Sequence, residues 1–173
     1  MVENQIEDNK LVGPPSLFKL FGGTEDERKA KIMILAKHLK EDYLMLPDEM
    51  RNYNAIYNII AYYNLPIHLF YEFGDFSGII GFTDIKQGHK ADIFFKIWDK
   101  TIFSKTFMRQ VIELCEMVMD ELSLRRLNAY TADKRMWKLA KMAGFEEDGK
   151  RELDFSWNHK LHTYYYMGRI KGE

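Results

Sequence analysis

A single cysteine, Cys115, among 173 residues excludes an intramolecular disulfide framework and a cysteine-rich metal centre. Four of the five histidines, His68, His89, His159 and His162, add no metal signal: they have no metal-ligand spacing and no cysteine or carboxylate cluster beside them. Surplus charge is missing too. Lys and Arg number 25 against 26 Asp and Glu, and a net charge of −1 gives no global pull toward nucleic acid or an anionic membrane. No apolar run approaches the ~20 residues that cross a bilayer, and the N-terminal MVENQIEDNK is too polar and acidic for a signal peptide. There is no internal repeat and no low-complexity tract. These exclusions leave a cytoplasmic enzyme or binding domain as the expectation, with no membrane or nucleic-acid partner.

What is present suits one domain. The chain is 46% apolar and 29% charged, and its aromatic content of 14% is enough for a compact core or an aromatic-lined pocket. Residues 1–15 are polar, end in Gly13-Pro14-Pro15, and read as a flexible arm ahead of a single domain over 16–173. Ser16 to Phe21 reads as a short strand. Thr24 and Glu27 form a capping box for a helix carrying Ile32, Leu35, Ala36 and Leu39 on one face. Pro47 suits the first turn of a second helix striped by Met50, Tyr53, Tyr57 and Ile60. The period then changes to two over Ile67–Phe73, Phe76–Ile85 and Ala91–Trp98, with turns at Gly74-Asp75 and Gln87-Gly88-His89. A helix over about Ser104–Leu122 carries Phe107, Val111, Leu114, Cys115, Val118 and Leu122. Cys115 on that face reads as a buried, inert thiol. From Leu124 to Glu152 the pattern is strand, amphipathic helix, glycine stop at Gly144-Phe145, and strand; a last strand covers about Thr163–Ile170. Strand, helix, strand after an antiparallel meander implies one parallel crossover, hence an α/β fold with a mostly antiparallel mixed sheet and flanking helices.

Several landmarks, taken in order, resemble the GNAT superfamily of N-acyltransferases, and within it the ribosomal-protein N-acetyltransferase branch. They are Gly78-Ile79-Ile80-Gly81-Phe82, Ala91-Asp92-Ile93-Phe94-Phe95, Leu124-Arg125-Arg126-Leu127, Met142-Ala143-Gly144-Phe145, and Gly149 with Arg151. The likeness covers about residues 66–170 well and the N-terminal helices more loosely. It implies a GNAT-like fold, acetyl-CoA as co-substrate, and transfer of an acetyl group to a primary amine of a small molecule or a protein.

Three departures from the family pattern concern chemistry. The resemblance implies a glycine-rich loop whose backbone amides hold the pyrophosphate at a helix N-terminus. Here the segment is Asp99-Lys100-Thr101-Ile102-Phe103-Ser104-Lys105-Thr106, with no glycine. Ser104 or Thr101 can still cap the helix, and Lys100 and Lys105 can supply charge in place of amide donors. Asp133 stands where the family opens the next helix with Asn; it caps equally well but brings an anion close to the co-substrate. Ala140 stands where the family often has its general-acid Tyr, so any general acid must come from elsewhere.

The candidate site residues follow. The resemblance implies Asp92 as general base, acting directly or through water, against the alternative of a solvated carboxylate at a strand start. Residues implied for the co-substrate are Trp98, at the exit of the strand that would pair with the pantetheine arm, Lys100, Phe103, Ser104, Lys105, Thr106 and Asp133. Lys138 belongs to a stripe with Lys134 and Lys141 that reads either as a solvated face or as a contact for the adenosine phosphate. No metal site is expected. Tyr164, Tyr165 and Tyr166 are candidates to wall an acceptor pocket or donate a proton, Tyr165 on the opposite face from the other two. Exposed aromatics there would also suit a homodimer interface. Two other readings stay open: a GNAT fold without catalysis that serves as a binding module, and an acyltransferase using a bulkier or non-CoA donor.

Overall fold

The computed structural model describes residues 15–41, 69–157 and 160–172. The expected arm, apart from Pro15, and the expected helix at Pro47 lie outside those residues. Within them the chain runs β1 (Phe18–Leu20), α1 (Glu25–Glu41), β2 (Leu69–Phe73), β3 (Gly78–Lys86), β4 (Lys90–Ile97), α2 (Lys105–Glu121), β5 (Arg126–Thr131), α3 (Lys134–Met142), β6 (Glu146–Trp157) and β7 (Lys160–Ile170).

Local chemistry accounts for the helix ends. At α1 the Thr24 amide donates to Glu27 Oε2 at 2.7 Å, and the Glu27 amide donates back to Thr24 Oγ1 at 3.3 Å. Ser104 caps α2 by accepting from the Phe107 amide. Asp133 caps α3 by accepting from the Arg135 amide at 2.7 Å. α3 stops at Gly144, whose φ of 81° suits glycine. There the Phe145 amide returns to the Ala140 carbonyl and the Gly144 amide to that of Lys141.

The seven strands of the described residues form one sheet in the order β1-β2-β3-β4-β5-β7-β6. Among the described residues only β4 and β5 pair in parallel, joined by the crossover through α2. The main core lies between the sheet and the helices α2 and α3. It takes Phe107, Leu114, Cys115 and Val118 from α2, and Phe73, Ile80, Phe82, Ala91 and Leu127 from the strands. A smaller cluster on the opposite face joins Leu35 of α1 to Ile79, with Phe70, Phe94 and Trp98 packed around it. Strand β3 starts at Gly78 rather than at Phe76, because Phe76 takes a left-handed turn conformation (φ 60°) that sets its ring edge-on to Trp98. Gly78 and Gly81 leave room for the rings of Phe73 and Phe70 from β2, which would collide with a Cβ at either position.

Candidate active site

The parallel ladder between β4 and β5 is short. It covers Lys90↔Arg126, Ala91↔Leu127 and Asp92↔Asn128, yet β4 continues to Ile97 and β5 to Thr131. The two strands therefore part in the middle of the sheet. A cavity of about 250 Å³ opens at the parting. Its walls include Asp92, Phe94 and Tyr130 from one face of the sheet and Ile93, Phe95, Ala129 and Thr131 from the other. Side chains alternate along a strand, so a space lined by both sets passes through the sheet. Met136, Leu139 and Ala140 of α3 close one end.

Asp92, the last β4 residue of the ladder, is held from β5. Asn128 Nδ2 donates to Asp92 Oδ1 at 2.9 Å, and the Tyr130 hydroxyl donates to the same oxygen at 3.3 Å. Asn128 is oriented in turn by Arg126, whose Nε donates to Asn128 Oδ1 at 2.7 Å and whose guanidinium also bonds Asp148. Gly168 on β7 makes this reach possible, since a Cβ there would collide with the Arg126 guanidinium and crowd Asp148. Asp148 itself sits at a register shift between Glu147 and Gly149 in the β6–β7 ladder. Burial pushes the Tyr130 phenol above its ordinary range, and the charge of Asp92 adds to that. Its ring meets Tyr166 edge-on at 5.7 Å.

Tyr130 is the residue that sequence reasoning missed. A signal existed: Arg126, Asn128 and Tyr130 share one face of a strand whose neighbours on both sides make it central to the sheet. Three hydrogen-bonding side chains in a row on such a strand call for partners.

A second cavity of about 350 Å³ adjoins the first, sharing Phe95, Met136 and Leu139 with it. It is bordered by Lys96, Ile97, Lys100, Phe103, Asp133, Arg135 and Lys138. Lys96 is only 3% exposed. The Asp133 carboxylate, an anion in this basic surround, is paired: Arg135 Nη2 lies 2.9 Å from its Oδ2. Burial works to raise the Asp133 carboxyl, but the hydrogen bonds from the side chain and amide of Arg135 outweigh it and hold the group below its usual range. Lys100 and Lys138 lie exposed at the rim.

The glycine-free loop folds as a 3₁₀ turn over Lys100–Ile102. Asp99 caps it, accepting from the Thr101 hydroxyl at 2.6 Å and the Thr101 amide at 2.9 Å, and these bonds hold its carboxyl low. Thr101 thus serves that turn rather than α2. Phe103 leaves 37% of its surface exposed and sets its ring edge-on to Phe107 at 5.8 Å.

Of the residues singled out from sequence, Asp92 borders the first cavity, and Lys100, Phe103, Asp133 and Lys138 border the second. Ser104, Lys105 and Thr106 form the exposed start of α2 and border neither. Trp98 also borders neither. Its indole N–H donates to the Phe76 carbonyl at 2.6 Å and its ring stacks on His38 of α1 at 4.8 Å, on the far face. The lysine stripe divides: Lys138 faces the cavity, while Lys141 lies over the Trp137 ring at 4.5 Å. The tyrosines of β7 are half-buried rather than exposed. Tyr165 packs on Trp137, Tyr166 on Tyr130 and Tyr164, and Tyr164 alone of the three lines the first cavity. Cys115 is fully buried, which pushes its thiol up to about 12.

No protein-family model matches this sequence, and no curated protein matches it. Solved structures do. A spermidine N-acetyltransferase from Vibrio cholerae, in complex with CoA and spermine, is 13% identical, with a TM-score of 0.68 over 90% of this chain and 96% of that one. A ribosomal-protein-alanine N-acetyltransferase from Brucella melitensis is 12% identical, with a TM-score of 0.68 over 90% and 99%. The microcin C7 self-immunity acetyltransferase MccE, in complex with acetyl-CoA and AMP, is 13% identical, with a TM-score of 0.66 over 91% and 94%. At such identities the likeness speaks to fold. The element order, the parallel β4–β5 pair and these neighbours together give this chain the fold of the GNAT acetyltransferases.

Proposed function

We propose that this chain is an acetyl-CoA-dependent N-acetyltransferase that passes the acetyl group directly to a primary amine. One observation carries the reading: β4 and β5 stop pairing at Asp92, and a cavity passes through the sheet at that point with the Asp92 carboxylate on its wall. A thioester placed at the parting would meet an amine arriving beside Asp92. The second cavity suits the rest of the co-substrate. Its apolar walls fit a pantetheine arm, and its basic rim fits phosphates. In place of a glycine cradle, Lys100 and Lys138 would supply charge. The first-turn amides of Lys105 and Thr106, which helix geometry leaves without an intrahelical partner, would supply donors.

In this mechanism Asp92 takes a proton from the attacking nitrogen, directly or through one water, while Asn128 and Arg126 keep the carboxylate facing the cavity. The pairing of Asp133 with Arg135 removes the electrostatic objection to an anion beside the co-substrate. The acceptor is a primary amine of a small molecule or a protein, and transfer needs no metal in this scheme.

Thiol release from acetyl-CoA, followed with spermidine, spermine and alanine-terminated peptides as acceptors, tests the proposal. Asp92→Asn should lower the rate by about 10²-fold or more, the usual worth of a general base. An unchanged rate in that variant would remove Asp92 from the mechanism. A second reading draws on the Asp99-capped turn and the Phe103 side chain, which fill the place of a glycine cradle. It makes the chain a GNAT fold kept as a binding module, and it predicts neither acetyl-CoA binding nor thiol release.

A further inference from the structure

We infer that the hydroxyl of Tyr130 is the general acid of the transfer, protonating the departing thiolate and drawing its replacement proton from Asp92. The inference rests on the acetyltransferase reading above and adds the residue that reading leaves without a name.

A thiolate expelled at the parting of β4 and β5 needs a proton donor on the cavity wall. Besides its two carboxylates, the side chains there with an O–H are Thr83, Thr131, Tyr130 and Tyr164. The threonines are alcohols, much weaker acids than a phenol, and Thr131 Oγ1 is already engaged with Asp133. A phenol, even one raised by burial, is a far closer match to an alkyl thiol than an alcohol is. Tyr130 belongs to β5, which borders the gap, whereas Tyr164 belongs to β7, one strand further away. The Tyr130 hydroxyl is hydrogen-bonded to Asp92 at 3.3 Å, which couples donor and base directly. Ala140 lines the same cavity with only a methyl group and offers no competing proton donor.

The circuit balances. The amine lone pair forms the C–N bond to the acetyl carbon, and the C–S bond breaks with its electrons going to sulfur. The surplus proton on nitrogen passes to Asp92, and the Tyr130 proton passes to sulfur. Asp92 then returns its proton to the phenolate along the 3.3 Å hydrogen bond, leaving both groups as they began.

Leaving-group dependence is the test, because a residue that only positions Asp92 would slow every donor alike. Tyr130→Phe keeps the ring that meets Tyr166 and deletes only the hydroxyl. With acetyl-CoA and an acceptor that the parent enzyme acetylates, the variant should lose about 10²-fold in kcat with little change in KM. With S-phenyl thioacetate, whose aryl thiolate departs without protonation, the loss should shrink to roughly 3-fold or less. Tyr164→Phe, on the wall of the same cavity, should change the rates with both donors by the same factor. Fluorotyrosine at position 130, with a more acidic phenol, should move the alkaline limb of the acetyl-CoA rate to lower pH, and it keeps the test available should the phenylalanine variant misfold. Equal losses with both donors, or no loss with either, would overturn the assignment. A parent enzyme that transfers acetyl to no amine would instead overturn the acetyltransferase reading beneath it.

Discussion

Reversing the charge of Lys100 and Lys138 together should weaken acetyl-CoA binding by about three orders of magnitude at low salt. Both lysines border the apolar cavity at its exposed rim. A unit charge about 4 Å from another gains ~1 kcal/mol in water-like dielectric and ~4 kcal/mol at an effective dielectric near 20. For exposed ammonium groups the lower figure applies. Lysine to glutamate turns that attraction into an equal repulsion, so each reversal costs ~2 kcal/mol, or about 30-fold in Kd. Two reversals reach ~4 kcal/mol if they add. The assay is calorimetric titration of the parent, each single variant and the double variant with acetyl-CoA and with acetyl-pantetheine, which has no phosphates. Lys134→Glu, on the same helix but away from the cavity, is the control. The effect should be confined to acetyl-CoA, and it should shrink as salt shortens the screening length from ~30 Å at 0.01 M to ~8 Å at 0.15 M. Equal weakening of both ligands, or no weakening of either, would refute the placement of phosphates at this rim.

Asp133→Ala should remove the α3 cap and cost about 1 kcal/mol at neutral pH by urea denaturation. Because the folded carboxyl sits below its unfolded value near ~3.9, its contribution is complete above that value and fades as pH falls through the folded pKa, so the gap between parent and variant should narrow at low pH. Gly168→Ala should force Arg126 off Asp148 and loosen the support of Asp92, lowering acetyl transfer as well as the melting temperature. Leu114→Ala, in the fully buried stripe of α2, should cost about 2–5 kcal/mol in urea. Cys115, buried and with its thiol pushed up to about 12, should resist alkylation in the native protein and react only on unfolding.

Where local chemistry decided the structure, the chain was readable. The capping box at Thr24, the Ser104 and Asp133 caps, and the glycine stop at Gly144 each follow from a few adjacent residues. The strand pattern was readable for the same reason, since alternation marks which side chains reach the core. The active-site candidates divide along that line. Asp92 was reached through its place in a recognisable strand, but its partners Asn128 and Tyr130 lie 36 and 38 positions away and meet it only through the parallel register. Register between parallel strands is fixed by the crossover and the core, not by any short motif. Trp98 shows the converse. Its position at the end of β4 suggested the cleft, whereas its side chain belongs with Phe94 on the α1 face of the sheet. The loop after β4 was readable in composition and not in shape. Its lack of glycine is plain, but the Asp99-capped turn and the gathering of Lys100 and Lys138 around one cavity arise only once α3 is docked beside it.

Calorimetric titration of the intact protein with acetyl-CoA, with desulfo-CoA and ATP alongside, tests the central claim most directly. Saturable one-to-one binding of acetyl-CoA and of desulfo-CoA, lost in the Lys100→Glu, Lys138→Glu double variant, is the predicted result. No heat of binding at millimolar acetyl-CoA, from a protein that still unfolds cooperatively, would contradict the claim and favour a fold retained without its co-substrate.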